Sequence, residues 1–208
     1  ATRSLAASQV FQATMVDGNE VGRQLTMLRS LATAGGTGHA EVRSLTPLGE
    51  AVWRSISAYP IKDHAGYVLW RIEDVTCTAG PASKAFEERH RGASIAAVVS
   101  GSFRYRSDAG SPLLYPGALF LGNPGSCFEC GHDHSRGDRC IAFHPDTPLF
   151  EEIAATSVGA SGYRFPSAVM PAIAELLPAL ASVEALLENR RALASESLAF
   201  SLAGRVLE

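Results

Sequence analysis

The chain has 208 residues, 46% of them hydrophobic, enough to bury a sizeable core in one or two domains. Its 18 Lys and Arg stand against 21 Asp and Glu, a formal net charge of -3, which excludes the basic excess a stand-alone nucleic-acid binder needs. No apolar run reaches the roughly 18 residues of a membrane span, and the N-terminus lacks the pattern of a secretion signal, so a cytoplasmic location is expected. The cysteines Cys77, Cys127, Cys130 and Cys140 are accordingly read as reduced thiols, buried or ligating metal, ahead of any disulfide.

From Leu5 to about Ala32, the residues Val10, Phe11, Met15, Val16, Val21, Leu25, Leu28 and Leu31 recur at roughly helical steps, interrupted by Asp17-Gly18-Asn19. Two short helices are predicted there, closed by Gly35-Gly36-Thr37-Gly38. Extended runs follow at Ala40 to Leu45, Ala51 to Tyr59 and Tyr67 to Val75, separated by turn residues in the manner of an antiparallel meander. In the last run Val68, Trp70 and Ile72 oppose Arg71 and Glu73, which predicts one buried face.

The stretch "EVRSLTPLGEAVWRSISAYPIKDHAGYVLWRIEDVT" resembles the C-terminal half of a PAS sensor domain, ending in that family's habitual Asp74-Val75-Thr76. The resemblance implies a truncated PAS segment over residues 1–76, in which Trp53 and Trp70 serve as pocket lining or, more simply, as core.

From Cys77 the sequence turns to short strands cut by Gly, Pro, Ser and Asp, the pattern of a β-barrel or jelly roll. Phe103 and Tyr105 alternate with Ser102, Arg104 and Arg106, Ser107-Asp108-Ala109-Gly110 supplies a hairpin turn, and the next strand starts at Pro112. After Pro166 a helical spacing takes over, through Ile173, Leu176, Leu177, Leu180, Val183, Leu186 and Leu187, then Leu193, Leu198, Phe200, Leu202 and Val206, with a break at Asn189-Arg190-Arg191. Such helices either cover the barrel core or form a dimer seam.

The segments "CTAGP", "FEERH", "IAAVVSGSFRYRS", "LLYPGALFLGN", "CFECGHDHSRGDRC" and "FEEIA" are similar, in order and spacing, to the N-terminal effector-sensing domain of AraC-type transcription regulators. The resemblance implies a cupin-like barrel over 77–165 that receives a small-molecule effector, and a helical segment over 166–208 that pairs two subunits into a homodimer. DNA would be reached only through a helix-turn-helix region, which nothing between Pro166 and Glu208 supplies. The fold class expected is α+β, mainly β: a PAS-like three-stranded antiparallel meander with helices, a cupin-like barrel, and two C-terminal helices.

No enzymatic activity is expected. Cupin enzymes usually hold metal with His-x-His, a glutamate and a later histidine; here "EERHRGASIAAVVSG" offers only His90, and "ALFLGN" after Pro116-Gly117 has no histidine. A metal-dependent cupin enzyme and a PAS-type sensor fragment of a signalling kinase stand as the alternatives. The two resemblances meet at Val75-Thr76-Cys77 without a linker, which points to a composite chain, a fusion or a fragment.

The effector-binding set is His90, Arg104, Tyr105 and Arg106. The arginines suit an anionic effector, or else a solvated strand face; His90 beside Glu87 and Glu88 is a metal-site remnant or a charged surface turn. Cys127, Cys130, His132, His134, Cys140 and His144 carry the thiolate and imidazole donors zinc prefers, so zinc is the candidate cofactor, with plain packing of buried cysteines as the alternative. An extended segment puts Cys130, His132 and His134 on one face, and a hairpin pairing His134 with Cys140 across Ser135 to Arg139 would add Cys140 and His144.

Overall fold

A computed structural model describes residues 9–13, 37–45, 51–85, 87–133, 135–189 and 193–207. Strands β2 (Gly38–Leu45), β3 (Ala51–Lys62) and β4 (Val68–Cys77) pair antiparallel in chain order, as the alternating runs predict. β1 (Gln9–Ala13) lies parallel to β2. Val10 and Phe11, assigned to a helix from their spacing, are therefore in a strand. Both residue types suit a pleated backbone, and the edge of β2 supplies the hydrogen bonds that decide the matter. The remainder of the two predicted helices lies outside the described residues.

The sheet continues past the meander. β4 pairs antiparallel with β11 (Asp138–Pro145) through eight partners, from Cys77 opposite Asp138 to Trp70 opposite Pro145. β6 (Ser94–Gly101), β9 (Leu119–Gly122) and β12 (Val169–Met170) complete an eight-stranded sheet in the order β1-β2-β3-β4-β11-β6-β9-β12. A boundary drawn after Thr76 thus falls inside a strand whose hydrogen bonds join the two sequence segments. The second sheet has four strands, β5 (Glu87–Arg89), β10 (Cys127–Gly131), β7 (Phe103–Ser107) and β8 (Leu113–Leu114), in that order.

These two sheets face each other without closing into the barrel expected from the sequence. Among the described residues no strand is shared between them; the chain changes sheet at corners instead of bending one hydrogen-bonded ladder around. Gly101, between β6 and β7, forms one such corner with φ of 77°, a conformation that only glycine adopts without strain. A Cβ there would collide with the Gly137 carbonyl oxygen and lie 2.7 Å from Asp138 Cα. Gly101→Ala is expected to lower stability by about 3 kcal/mol, the left-handed penalty and the overlap adding, measured as a shift in the urea midpoint.

The helices cover one face of the large sheet. Trp70, Ile72, Ile95, Ile141 and Phe143 pack under α1 (Thr147–Val158), through Leu149, Phe150 and Ile153, and under α3 (Leu193–Leu207), through Leu202 and Val206. α2 spans Leu177–Asn189, and the break expected at Asn189-Arg190-Arg191 lies largely outside the described residues. α1 falls where only strands were expected. Its start is set by Asp146, whose Oδ1 accepts from Leu149 N at 2.9 Å, with Pro148 in the first turn, and its end by Gly159 at φ 65°. Phe200 of α3 meets Trp70 edge-to-face at 5.6 Å.

Both faces of β4 are covered. Trp70 and Ile72 enter the helix-side core, whereas Arg71, Glu73, Val75 and Cys77 line a cavity between the sheets; the single buried face read from their alternation is half of the arrangement. Trp53, expected in a core, is 43% exposed on β3 because its neighbour Arg54 takes the cavity side.

Candidate functional site

Between the sheets lies a cavity of about 120 Å³, room for several waters or a small organic molecule. Its apolar wall includes Ile56, Val75, Phe103, Phe120 and Phe128, and its polar groups come from both sheets. The alternation of each strand delivers these side chains: Phe128 and Cys130 project from β10, Asp138, Cys140, Ala142 and His144 from β11.

His90 follows β5 and is buried in this wall, not on a charged surface turn. Its Nε2 lies 2.6 Å from the Tyr105 hydroxyl, and its ring stacks on Phe128 at 4.3 Å. Gly122 leaves space for it: any Cβ at that position would overlap the imidazole. Tyr105 is fully buried behind the histidine and fixes the ring without lining the cavity; burial, reinforced by Cys130, Asp108 and Glu88, pushes its phenol far above the ordinary range, so it stays a neutral donor or acceptor.

Arg104 and Arg106 occupy the other face of β7. They reach Asp133 at 3.4 and 3.2 Å, one-third or more exposed, and do not line the cavity. With Phe103 and Tyr105 turned inward, period-two geometry sends the arginines to the outer face of β7.

The hairpin expected to gather the cysteines and histidines does not form. β10 pairs with β5 and β7, setting Cys130 opposite Tyr105, while β11 pairs with β4 and β6, setting Cys140 opposite Val75 and Val98. After Gly131 the chain crosses from the small sheet to the large one, so the two strands face each other across the cavity instead of sharing a ladder. Cys130, His132, Cys140 and His144 nonetheless all reach the cavity, from opposite sides. Cys127 points elsewhere, and His134 lies outside the described residues.

Two residues absent from the predicted ligand set join His132. Cys77 Sγ, a His132 ring nitrogen and an Asp138 carboxylate oxygen lie within 4.8 Å of one another. His132 Nε2 is hydrogen-bonded to Asp138 Oδ2, and the Cys140 thiol donates to Asp138 Oδ1 at 3.5 Å. The Ala79 backbone N–H donates to Cys77 Sγ at 3.4 Å. Burial pushes the thiols of Cys77, Cys130 and Cys140 upward, with Asp138 adding to each, and so keeps them protonated near neutral pH in the absence of an ion. At another part of the cavity, buried Glu73 accepts from Arg71 Nε at 2.9 Å and lies 3.5 Å from His144 Nε2. The parity of β4 and β11 could have placed Cys77 and Asp138 on inward faces; that β4 and β11 are neighbours had no sequence signal.

No protein-family profile matches the chain, and no curated protein matches it in sequence. Partial likenesses exist among solved structures. These neighbours are cupin-fold proteins. An RmlC-like cupin from Shewanella frigidimarina shares 15% identity over 47% of this chain and 80% of its own, with a TM-score of 0.35. A sugar phosphate isomerase of the cupin superfamily from Silicibacter pomeroyi shares 17% over 45% and 60%, with a TM-score of 0.34. The Cupin_2 domain of an XRE family transcriptional regulator from Enterobacter cloacae shares 14% over 43% and 93%, with a TM-score of 0.36.

Proposed function

We propose that this chain is the effector-sensing and dimerising module of an AraC-type transcription regulator, acting in the cytoplasm. The observation that carries the reading is the cavity between the two sheets, with His90 held in its wall by Tyr105 and Phe128. A preset polar group in a largely apolar enclosure is the usual form of a small-ligand site. The sequence segments that resemble the AraC sensing domain supply this wall: "FEERH" contributes His90, "SGSFRYRS" Phe103 along with the Tyr105 that holds His90 from behind, and "CFECGHDH" Phe128 and Cys130.

An occupant bound more tightly by one arrangement of sheets and helices would shift that equilibrium and alter how DNA-binding regions are presented. The PAS-like meander takes part through β4, whose inner face lines the same cavity. No described helix is long and apolar enough to cross a membrane.

Ligand-observed NMR with a library of small polar organic molecules tests the reading. Binders are expected whose affinity falls about tenfold in His90→Ala, the 1.4 kcal/mol of one good hydrogen bond, and is unchanged in Arg104→Ala. Hits insensitive to His90, or a library without binders, would count against a sensor cavity. Light scattering with and without a hit tests the homodimer. A metal-dependent cupin enzyme is the second reading, favoured by the Cys77, His132 and Asp138 cluster; turnover dependent on added metal would establish it.

A further inference from the structure

We propose that Cys77, His132 and Asp138 form a zinc site with a fourth coordination position open toward the cavity. The claim goes beyond the sensing role and does not depend on it.

The donors are of the right kinds. A thiolate, an imidazole and a carboxylate together favour zinc over magnesium or calcium, which prefer oxygen throughout, and three protein ligands leave one tetrahedral position free. Their placement is built into the fold. Cys77 closes β4 and Asp138 opens β11 directly opposite it in the ladder, while His132 arrives from the end of β10 in the facing sheet. The site therefore spans both sheets, and an ion there would tie them together.

Burial argues in the same direction. Cys77 is 7% exposed, and the side chains of His132 and Asp138 are 4% and 8% exposed. A carboxylate withdrawn from water to that degree demands strong compensation, which a divalent cation supplies.

The surroundings are those that tune a metal ligand. The Ala79 N–H directed at Cys77 Sγ stabilises a thiolate. Cys140 donates to Asp138 Oδ1 and leaves Oδ2, the oxygen turned toward His132, as the coordinating atom. The Phe103 ring lies against the His132 ring at 5.8 Å and shields it from water. Gly137 N donates to Ala79 O at 2.7 Å, anchoring the chain just before Asp138 to the segment that follows Cys77. On binding, Cys77 loses its proton to solvent and coordinates as the thiolate.

The experiment uses the full chain, stripped with a chelator and titrated with zinc against a chromophoric competitor, then with cobalt as a spectroscopic stand-in. One zinc per chain is expected. Cobalt should give a near-ultraviolet thiolate charge-transfer band and visible bands of tetrahedral intensity. Cys77→Ser should abolish the charge-transfer band, Cys77→Ser and His132→Gln should each weaken zinc by more than about 100-fold, and Cys127→Ser should change neither readout. Should Cys77→Ser not fold, as judged by circular dichroism, Asp138→Asn is the isosteric substitute, with an expected loss of at least about tenfold. The proposal is overturned if the stripped chain takes up no zinc, if the band persists in Cys77→Ser, or if Asp138→Asn binds like the parent. No effector enters these measurements, so failure here leaves the sensing reading untouched, and a failed effector screen leaves the zinc site untouched.

Discussion

Trp70→Ala is expected to remove about 3–5 kcal/mol of stability, enough to unfold much of a typical domain at 37 °C. Trp70 is fully buried on β4, in the segment that resembles a PAS meander, yet most of the core it enters comes from the rest of the chain. Phe200 of α3 meets its ring edge-to-face, and Phe143 of the adjoining β11 is in the same core. Truncation would open a large cavity beneath α3, and the loss is the transfer free energy of the indole plus the cost of the unfilled space. Urea unfolding followed by far-ultraviolet circular dichroism measures it. The fold also requires that the variant unfold in a single shifted transition. Two transitions, of which only the earlier moves, would mean that the meander folds apart from the rest.

Glu73→Ala is expected to cost about 3–5 kcal/mol through a different mechanism. Glu73 is 1% exposed, on the cavity side of the same strand, and its carboxylate serves Arg71 and His144 together. Removing it takes a buried carboxylate away from Arg71 at 2.9 Å and from His144 at 3.5 Å, in a low-dielectric wall where such a contact is strong. Two controls separate charge from packing. Glu73→Gln, which keeps the shape and one acceptor, should lose less, and Glu73→Met combined with Arg71→Met should approach the parent, since replacing a buried ion pair by apolar groups of similar volume is often near neutral. Differential scanning calorimetry reads all three. A Glu73→Ala variant within about 0.5 kcal/mol of the parent, the range of an ordinary surface substitution, would show that the network does not hold the sheet face.

The strands of the meander and most of the C-terminal helix pair were legible in their periodicities, but the helical reading began too early: Val169–Met170 form a strand paired with β9, and the first helix starts at Leu177, after Ile173 and Leu176. Inward and outward parity along β7 was legible too, and with it the burial of Phe103 and Tyr105. Where a period was short or ambiguous, pairing decided: Val10 and Phe11 carry no signal that distinguishes a helix from a strand until β2 is beside them. The α1 cap, Asp146 with Pro148, was readable in residues but lay in a region whose Gly and Pro pattern favours strands.

The site divides along the same line. That Cys130 and His132 share a face follows from the period of two, and both do reach the cavity. Ligand grouping does not follow, because alternation states which face a side chain occupies and says nothing about which strand lies opposite. Cys77 and Asp138 are 61 positions apart and meet only because β4 and β11 are neighbours, while His132 joins them only because the small sheet folds over the large one. Local sequence thus set the elements and their faces, through backbone sterics and hydrophobic period. The choice of partners across the gap belonged to the tertiary structure, where burial of Trp70, Phe143 and the α3 face selects one packing of the sheets and the cavity chemistry follows from it.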